Sequence, residues 1–382
     1  MKPYLKRAWA EINLSALESN IEKIKSLLYE NTEIMAVIKA DAYGHGEGEI
    51  LRKLHDCGIR YYAVSNLDEA VSVRKHCPDA EILILGFTPP EYAKELEENN
   101  IIQGVLSYDY ARELSENAEK GVRCHIKIDT GMGRIGLKYS NPYDCADEAE
   151  KIAKLDKISA EGVYTHFSVA DDPENPESCK YTKNQADFIV EVYNILKKRG
   201  INLKHCHFLN SAGICYHNRP ESTLARAGII MYGLYPNYPV KLPIELQPVM
   251  SLKAVVSQVK TLHKDDSVSY GRMYRADEDG IVAATVTVGY ADGYSRLLSG
   301  KGEVLVNGVR CPVIGRVCMD QLVLDVSHVD SVKEGDIVTL IGRDGVDEIT
   351  ADELASLYGT IGYEVVCGIS KRVPRIYIEN IL

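Results

Sequence analysis

One lysine stands where a side chain could do covalent chemistry. The apolar run Ile34–Ile38 predicts a buried strand, and Lys39 follows it directly, at the start of the loop KADAYGHG. A lysine at a strand end projects its amine into whatever site lies there. Burial disfavours the charged ammonium form, and a neutral amine can form a Schiff base. An ordinary solvated lysine is the alternative reading of any one such position.

Apolar runs recur along the first two thirds of the chain, and helical patterns separate most of them. The runs cover residues 33–39, 61–65, 81–86, 101–106, 122–128, 159–167, 205–209 and 224–230, with helical patterns at 66–76, 91–99, 109–120 and 178–199. A further helical pattern at 13–28 precedes them. Eight strands with intervening helices predict a (β/α)8 barrel rather than an open doubly wound sheet.

In a barrel of this kind, reactive groups lie just after the strands. The polar residues at those positions are Lys39, Tyr43, Ser65, Asn66, Lys127, Arg134, His166, Asn210, Ser211 and Arg226. This set is rich in cations and poor in acids, which predicts an anionic ligand. NSAG (210–213) and RAGII (226–230) place small residues where backbone N–H groups can approach a phosphate. An ordinary turn is an equal alternative for NSAG.

GMGRIG (131–136) matches the pattern GxGxxG, but we reject a dinucleotide site because no early βαβ unit surrounds it and no helix clearly starts there. We interpret it as a glycine-containing loop that lets Arg134 bind a ligand carboxylate with its planar fork. Lys127, on the preceding strand, should point inward beside it.

HCH (205–207) has metal-ligand spacing on a strand. Together with His166 and a carboxylated lysine it would permit a barrel metallohydrolase. The acidic ligands expected near such metals are missing, so we favour packed or hydrogen-bonded histidines and assign no metal.

The composition changes after the barrel pattern. Residues 235–249 contain four prolines, and β-rich runs follow at 249–262, 281–290, 303–306, 321–326 and 336–341. One helix should begin at Thr350, with Glu353 completing a capping box. The sequence therefore predicts an α/β protein with a barrel domain over 1–240 and a mostly β domain over 241–382. The first 12 or so residues are an open case, since they could pack with the second domain.

Charge and cysteine usage narrow the class of protein. The 382 residues carry a net charge of −11, which argues against nucleic acid or an anionic membrane as partner. No segment resembles a signal peptide or a membrane span. Ten cysteines without a CxxC pair predict free thiols. We therefore expect a cytoplasmic protein.

Nine motifs together resemble one family. They are AVIKADAYGHG (36–46), KIDTGMGRIG (127–136), THFSVAD (165–171), NSAG, RAGIIMYG (226–233), VSYG (268–271), VGYADGYSR (288–296), GRVCMDQ (315–321) and TIGYE (360–364). In this order they resemble the alanine racemases, pyridoxal 5′-phosphate (PLP) enzymes of fold type III, over essentially the whole chain. The resemblance implies a homodimer that interconverts L- and D-alanine, usually for bacterial cell-wall peptidoglycan.

The resemblance also implies two catalytic groups. Lys39 should hold PLP as an aldimine and serve as one acid–base group. Tyr270, from the partner subunit, should be the other and approach the substrate from the opposite face. One group takes the α-proton while the other supplies it, so two faces are what racemisation requires.

Further roles follow from the resemblance. Arg226 should face the pyridine nitrogen, and His166 should bond both Tyr270 and Arg226. Arg134, Met319 and Asp320 should bind the substrate, with Lys127 as an N6-carboxylysine that orients Arg134. The residues implied for the PLP phosphate are Tyr43, Ser211, Gly228, Ile229 and Tyr363.

Alternatives remain at this point. A PLP decarboxylase of the same fold usually keeps an acid where Arg226 stands. A serine racemase usually has a smaller polar residue in place of Tyr363. A PLP carrier protein is a further alternative, but these proteins are single barrels, whereas this sequence predicts a second domain. The barrel metallohydrolase is the outside alternative.

Overall fold

The computed structural model describes residues 6–379. The first elements are strand β1 (Ala8–Asn13) and helix α1 (Leu14–Leu27). The Asn13 side chain caps the helix by accepting a hydrogen bond from the Ala16 amide at 3.0 Å. Leu17, Ile21 and Ile24 are fully buried, so the helical spacing of the apolar residues predicted this element correctly.

Eight parallel strands form the barrel. They are β2 (Glu33–Val37), β3 (Tyr61–Val64), β4 (Glu81–Ile84), β5 (Ile102–Val105), β6 (Val122–Lys127), β7 (Ile158–Tyr164), β8 (His205–His207) and β9 (Leu224–Ala227). Their order is β8-β7-β6-β5-β4-β3-β2-β9. β9 closes onto β8 through backbone bonds such as Thr223 N to Cys206 O, at 2.9 Å. The predicted barrel is confirmed.

The barrel helices lie between these strands. They are α2 (Lys39–Tyr43), α3 (Glu47–Asp56), α4 (Leu67–His76), α5 (Ala93–Glu98), α6 (Tyr108–Asn117), α7 (Pro142–Ala153), α8 (Pro176–Lys198) and α9 (Ser211–Tyr216), with 3-10 turns at Pro90–Tyr92 and Ile229–Tyr232. Four of them, α4, α5, α6 and α8, match predicted helical patterns. The sequence did not predict α3 or α7; in α7 the buried face is made largely of Ala146 and Ala149, which give a weak apolar signal.

The second part of the chain is mostly strand. It contains β10 (Met250–Leu262), β11 (Ser267–Val268), β12 (Tyr274–Arg275), β13 (Ile281–Val286), β14 (Glu303–Val306), β15 (Val309–Pro312), β16 (Leu322–Asp325), β17 (Ile337–Asp344), β18 (Asp347–Ile349) and β19 (Arg375–Ile378), with helices α10 (Ala351–Tyr358) and α11 (Gly362–Cys367) and 3-10 turns at Tyr270–Arg272, Tyr290–Asp292 and Arg296–Leu298. The long β10 pairs with β1, β13 and β17.

The N-terminal strand belongs to this second sheet. β1 pairs antiparallel with β10 and parallel with β19, whereas the helix that follows it, α1, packs against the barrel helices α3 and α9. β1 and α1 together thus link the second sheet to the barrel. The division into 1–240 and 241–382 stays a prediction.

The predicted capping box at α10 is only half right. Thr350 Oγ1 does accept a hydrogen bond from the Glu353 amide, at 3.0 Å. The Glu353 carboxylate does not return to the cap, because Arg310 binds it at 2.6 Å. A charge-assisted pair replaces the second bond of the box.

All ten cysteines lie in the described residues, and all are unpaired. No helix within residues 6–379 is both long and apolar enough to cross a membrane.

Candidate active site

The strand ends bring four basic groups to one rim of the barrel. Lys39 follows β2, Lys127 ends β6, His166 follows β7, and Arg226 lies in β9. Burial lowers the pKa of the His166 imidazole well below its usual value, and the charges of the two lysines, Arg226 and Arg134 lower it further. The neutral imidazole is therefore the form present at neutral pH.

Lys39 stands at the start of an unusual turn. Burial, and then the charge of Arg134, lower the pKa of its amine. The next residues, Ala40 to Tyr43, all have φ between 53° and 55°, the left-handed helical region. Each non-glycine residue there costs about 1–2 kcal/mol, so surrounding contacts must hold the turn. One of these is the Glu69 carboxylate, which accepts a hydrogen bond from the Ala40 amide at 2.8 Å.

Arg226 is buried and makes four hydrogen bonds, two of them short. Its Nη1 donates to His207 Nδ1 at 2.8 Å, and its Nη2 donates to the Thr165 carbonyl at 2.6 Å. Because a guanidinium only donates, His207 Nδ1 accepts and its Nε2 carries the hydrogen. That Nε2 lies 2.9 Å from His125 Nδ1. The arginine thus fixes the tautomers of two buried imidazoles. Burial lowers the Arg226 pKa to about 10, which leaves it charged at neutral pH.

This chain of imidazoles accounts for part of the HCH motif. His207 binds Arg226 and His125 rather than standing free as a ligand. Within residues 6–379 no three His, Cys, Asp or Glu side chains are grouped so that they could hold a metal ion.

Lys127 is buried without an acidic partner. Among the described residues its amine makes no hydrogen bond or ion pair, and its Nζ lies 4.7 Å from the centre of the Tyr164 ring. The Arg226 guanidinium lies over the same ring, at 5.7 Å. Burial, then the charges of Arg226 and Arg134, lower the Lys127 pKa well below its usual value.

Tyr164 and His125 also belong to this group, although neither was predicted from the sequence. Their signal is the alternation of side chains along a strand, because Tyr164 lies two residues before His166 at the end of β7, and His125 lies two residues before Lys127 on β6.

Two hydroxyl groups and a glycine form a cradle beside the rim. The Gly228 amide donates to Ser211 Oγ at 3.0 Å. A Cβ at Gly228 would lie 3.0 Å from Tyr43 Oη and 3.4 Å from Ser211 Oγ, so any side chain there would fill the space between them. The Tyr363 ring lies 6.2 Å from that of Tyr43, and Ile229 begins the 3-10 turn that follows Gly228. This cradle offers hydroxyl and amide donors of the kind that bind phosphate.

The glycine-containing loop after β6 presents Arg134. Asp129 Oδ1 accepts hydrogen bonds from the Gly131 and Gly133 amides, at 3.0 and 2.9 Å, and thereby fixes the loop. No helix begins in GMGRIG, and the next helix, α7, starts only at Pro142. Arg134 is exposed and, in the described part of the chain, has neither a hydrogen bond nor an ion pair.

Three predicted residues lie in the second, mostly β part of the chain. Tyr270 is 71 % exposed and Met319 is 52 % exposed, both on loops of the second sheet. Asp320 is paired with Arg372 at 2.8 Å. Within residues 6–379 no hydrogen bond, ion pair or ring contact joins Tyr270 to the barrel.

Buried histidines should make stability depend on pH. Burial lowers the pKa of His45 to about 4 and that of His125 to about 3, against about 6.5 in an unfolded chain. The unfolded chain then binds more protons below pH 6.5, so stability is complete above that pH and is lost as the pH falls towards 4. We expect denaturant titrations at pH 5 to show a free energy of unfolding lower by about 2 kcal/mol per histidine than at pH 7. His263→Gln, at an exposed position, should leave the dependence of the unfolding free energy on pH unchanged. An unfolding free energy of the native chain that does not change between pH 7 and pH 5 would contradict the prediction.

The site thus lies at the rim of a closed barrel that is joined to a β-rich domain, and comparison with known proteins assigns this combination to a family. The family models "Alanine racemase, N-terminal domain" and "Alanine racemase, C-terminal domain" match residues 12–236 and 249–377. The chain belongs to the alanine racemase family.

Individual relatives agree with this assignment. The chain is 44% identical over 387 residues to the alanine racemase of Clostridium tetani, covering 100% of this chain and 97% of that protein. It is 43% identical over 388 residues to that of Clostridium novyi, with the same coverage. The structure of alanine racemase from Bacillus anthracis with bound L-Ala-P superposes with a TM-score of 0.91 at 37% identity, covering 99% of this chain and 96% of that one. The protein is thus an isomerase that interconverts L- and D-alanine, and the decarboxylase, carrier and metallohydrolase alternatives fall away.

Proposed function

We propose that the barrel rim binds PLP, with Lys39 as its covalent anchor. The observation that carries this proposal is the cradle at Gly228. The hydroxyl groups of Tyr43 and Ser211 lie 3.0 and 3.4 Å from the place where a Cβ of residue 228 would stand, and glycine leaves that space open. The Gly228 and Ile229 backbone and Tyr363 complete the proposed phosphate site. When bound, PLP withdraws electrons from the substrate and so acidifies the proton on its α-carbon.

Arg226 is proposed to face the pyridine nitrogen of PLP. Within the described residues it has no carboxylate partner, and His207 and the Thr165 carbonyl hold it in place. A fixed positive charge there keeps the nitrogen unprotonated, because protonation would place two cations together. This limits electron withdrawal and suppresses side reactions such as transamination.

The two acid–base groups are proposed to be Lys39 and Tyr270 of the partner subunit. The exposure of Tyr270 and Met319 supports this, since large apolar side chains left open in one chain are typical of a surface that a second copy covers. His166 supports it as well. Its Nδ1 lies 3.4 Å from Arg226 Nη2 and accepts from it, so the neutral ring carries its hydrogen on Nε2. That hydrogen is available to a phenol oxygen of the second subunit.

Arg134 is proposed to bind the substrate carboxylate, and Met319 and Asp320 of the partner subunit to border the substrate. Arg134 has free donors in a loop that Asp129 holds. Tyr363 would narrow the pocket and favour alanine over serine, although size alone rejects an added hydroxyl group weakly. A cytoplasmic location and a role in cell-wall synthesis stay predictions.

Lys127 should carry a carboxyl group. A neutral buried amine reacts with CO2 to give a carbamate and a proton, and the carbamate anion would pair with Arg134. We expect 13CO2 to give the native protein a carbamate signal by 13C NMR, and Lys127→Arg to lack it. An unmodified ammonium at Lys127 in high-resolution density would contradict the proposal.

Racemisation itself tests the assignment of PLP to this site. The PLP-loaded protein should erase the circular dichroism of both L-alanine and D-alanine. The double variant Tyr43→Phe/Ser211→Ala should need at least about tenfold more PLP for half-maximal activity, because two donors to an anion are lost. Unchanged PLP affinity in this variant would place the phosphate elsewhere.

A further inference from the structure

The last strand of the second domain contacts the left-handed turn that follows Lys39. On β19, the Arg375 Nε donates to the Gly44 carbonyl at 2.9 Å. Tyr377, two residues on and therefore on the same face, donates through its hydroxyl to the His45 carbonyl at 3.3 Å. The turn belongs to the barrel and the donors belong to the other sheet.

Arg375 links this turn to a loop as well. Its remaining donors bind the carbonyls of Ile369 and Val373, each at 2.7 Å, and of Ser370 at 2.6 Å. Among the described residues it has no carboxylate partner. A half-buried guanidinium that binds four backbone carbonyls, in the turn and in the 369–373 loop, fixes the distance between them.

The turn and the strand also fit closely. A Cβ at Gly46 would overlap the Tyr377 hydroxyl, and a Cβ at Gly44 would overlap the Val366 carbonyl. The buried His45 completes the turn from inside, because its Nδ1 lies 3.0 Å from the carbonyls of both Ala42 and Tyr43. The two glycines of the YGHG sequence are thereby explained by packing against the second domain, and the histidine by its hydrogen bonds within the turn.

We propose that Arg375 and Tyr377 are positioning residues, through which the second domain holds residues 40–46 in the conformation that aims Lys39 and Tyr43 into the barrel rim. The strain of four consecutive left-handed residues requires such an external hold. The inference rests on the proposed function only in that Lys39 and Tyr43 are the residues that bind PLP.

Two arginines allow a matched test. Arg74, on α4, also donates to four backbone carbonyls, those of Pro78, Ala80, Asn99 and Asn100, but at the opposite end of the barrel strands. We compare hydrogen exchange of the full-length chain without PLP in Arg375→Gln and Arg74→Gln. Exchange of the Ala42, Gly44 and Gly46 amides should accelerate at least about tenfold in Arg375→Gln alone, since a bond from a charged donor is lost. Equal exchange in the two variants would overturn the proposal.

A milder pair covers the case in which Arg375→Gln does not fold. Tyr377→Phe removes only the hydroxyl that binds the turn. Tyr193→Phe, on α8, removes a comparable hydroxyl, which donates to the Leu203 carbonyl at 3.4 Å. Tyr377→Phe should release PLP from the loaded protein several-fold faster than Tyr193→Phe. Raising the pH should not restore slow release in Tyr377→Phe. Identical release rates in the two variants would contradict a positioning role for Tyr377. Failure of the native protein to retain PLP would instead contradict the proposed cofactor site.

Discussion

Lys39→Ala is expected to lower the rate of alanine racemisation by about 10³-fold or more. The substitution removes the covalent anchor of the cofactor together with one acid–base group, and one such group alone contributes about 10²–10⁴-fold. The measurement is the loss of circular dichroism of L-alanine, together with the visible absorbance of the protein after dialysis.

Lys198→Ala, at an exposed position near the end of α8, is the matched control and should keep both activity and bound PLP. A Lys39→Ala protein that racemises alanine within tenfold of the native rate would contradict the assignment of this lysine.

Tyr270→Phe should remove activity in one direction before the other. If Tyr270 takes the proton from L-alanine and Lys39 takes it from D-alanine, the variant should lose the reaction of L-alanine by about 10²–10⁴-fold. In D2O, exchange of the α-hydrogen of D-alanine should continue, because Lys39 still faces that hydrogen. Proton NMR of each enantiomer measures the two exchanges separately.

Tyr274→Phe changes a tyrosine of the same hairpin and should leave both exchanges unchanged. Equal loss of exchange from both enantiomers in Tyr270→Phe would show that Tyr270 does not serve one face alone.

The elements that were predictable from sequence have strong apolar periodicity. The eight barrel strands are short runs bounded by polar residues, and α1 repeats its apolar residues at helical spacing, so local pattern was sufficient. α7 was missed because alanines and acids dominate it. The rim residues followed from one rule, that strands of a barrel end at the same face, which needs only the strand ends.

Other parts of the site depend on contacts that no local pattern shows. Residues 40–43 carry no run of glycine or asparagine that would announce a left-handed turn, and contacts with Glu69, Arg375 and Tyr377 hold it. The chain from Arg226 through His207 to His125 joins three strands. The resemblance to the family supplied the roles of Tyr270 and Met319, which one chain leaves at its surface.

The measurement that tests the account most directly is the activity of a hybrid dimer. Lys39→Ala and Tyr270→Phe chains, each nearly inactive on L-alanine alone, are given different affinity tags, and the mixed dimer is purified through both. If each site combines Lys39 of one subunit with Tyr270 of the other, one of its two sites is fully native, and the hybrid should show about half of the native activity. An inactive hybrid would show that both residues act within one chain, and would contradict the shared site.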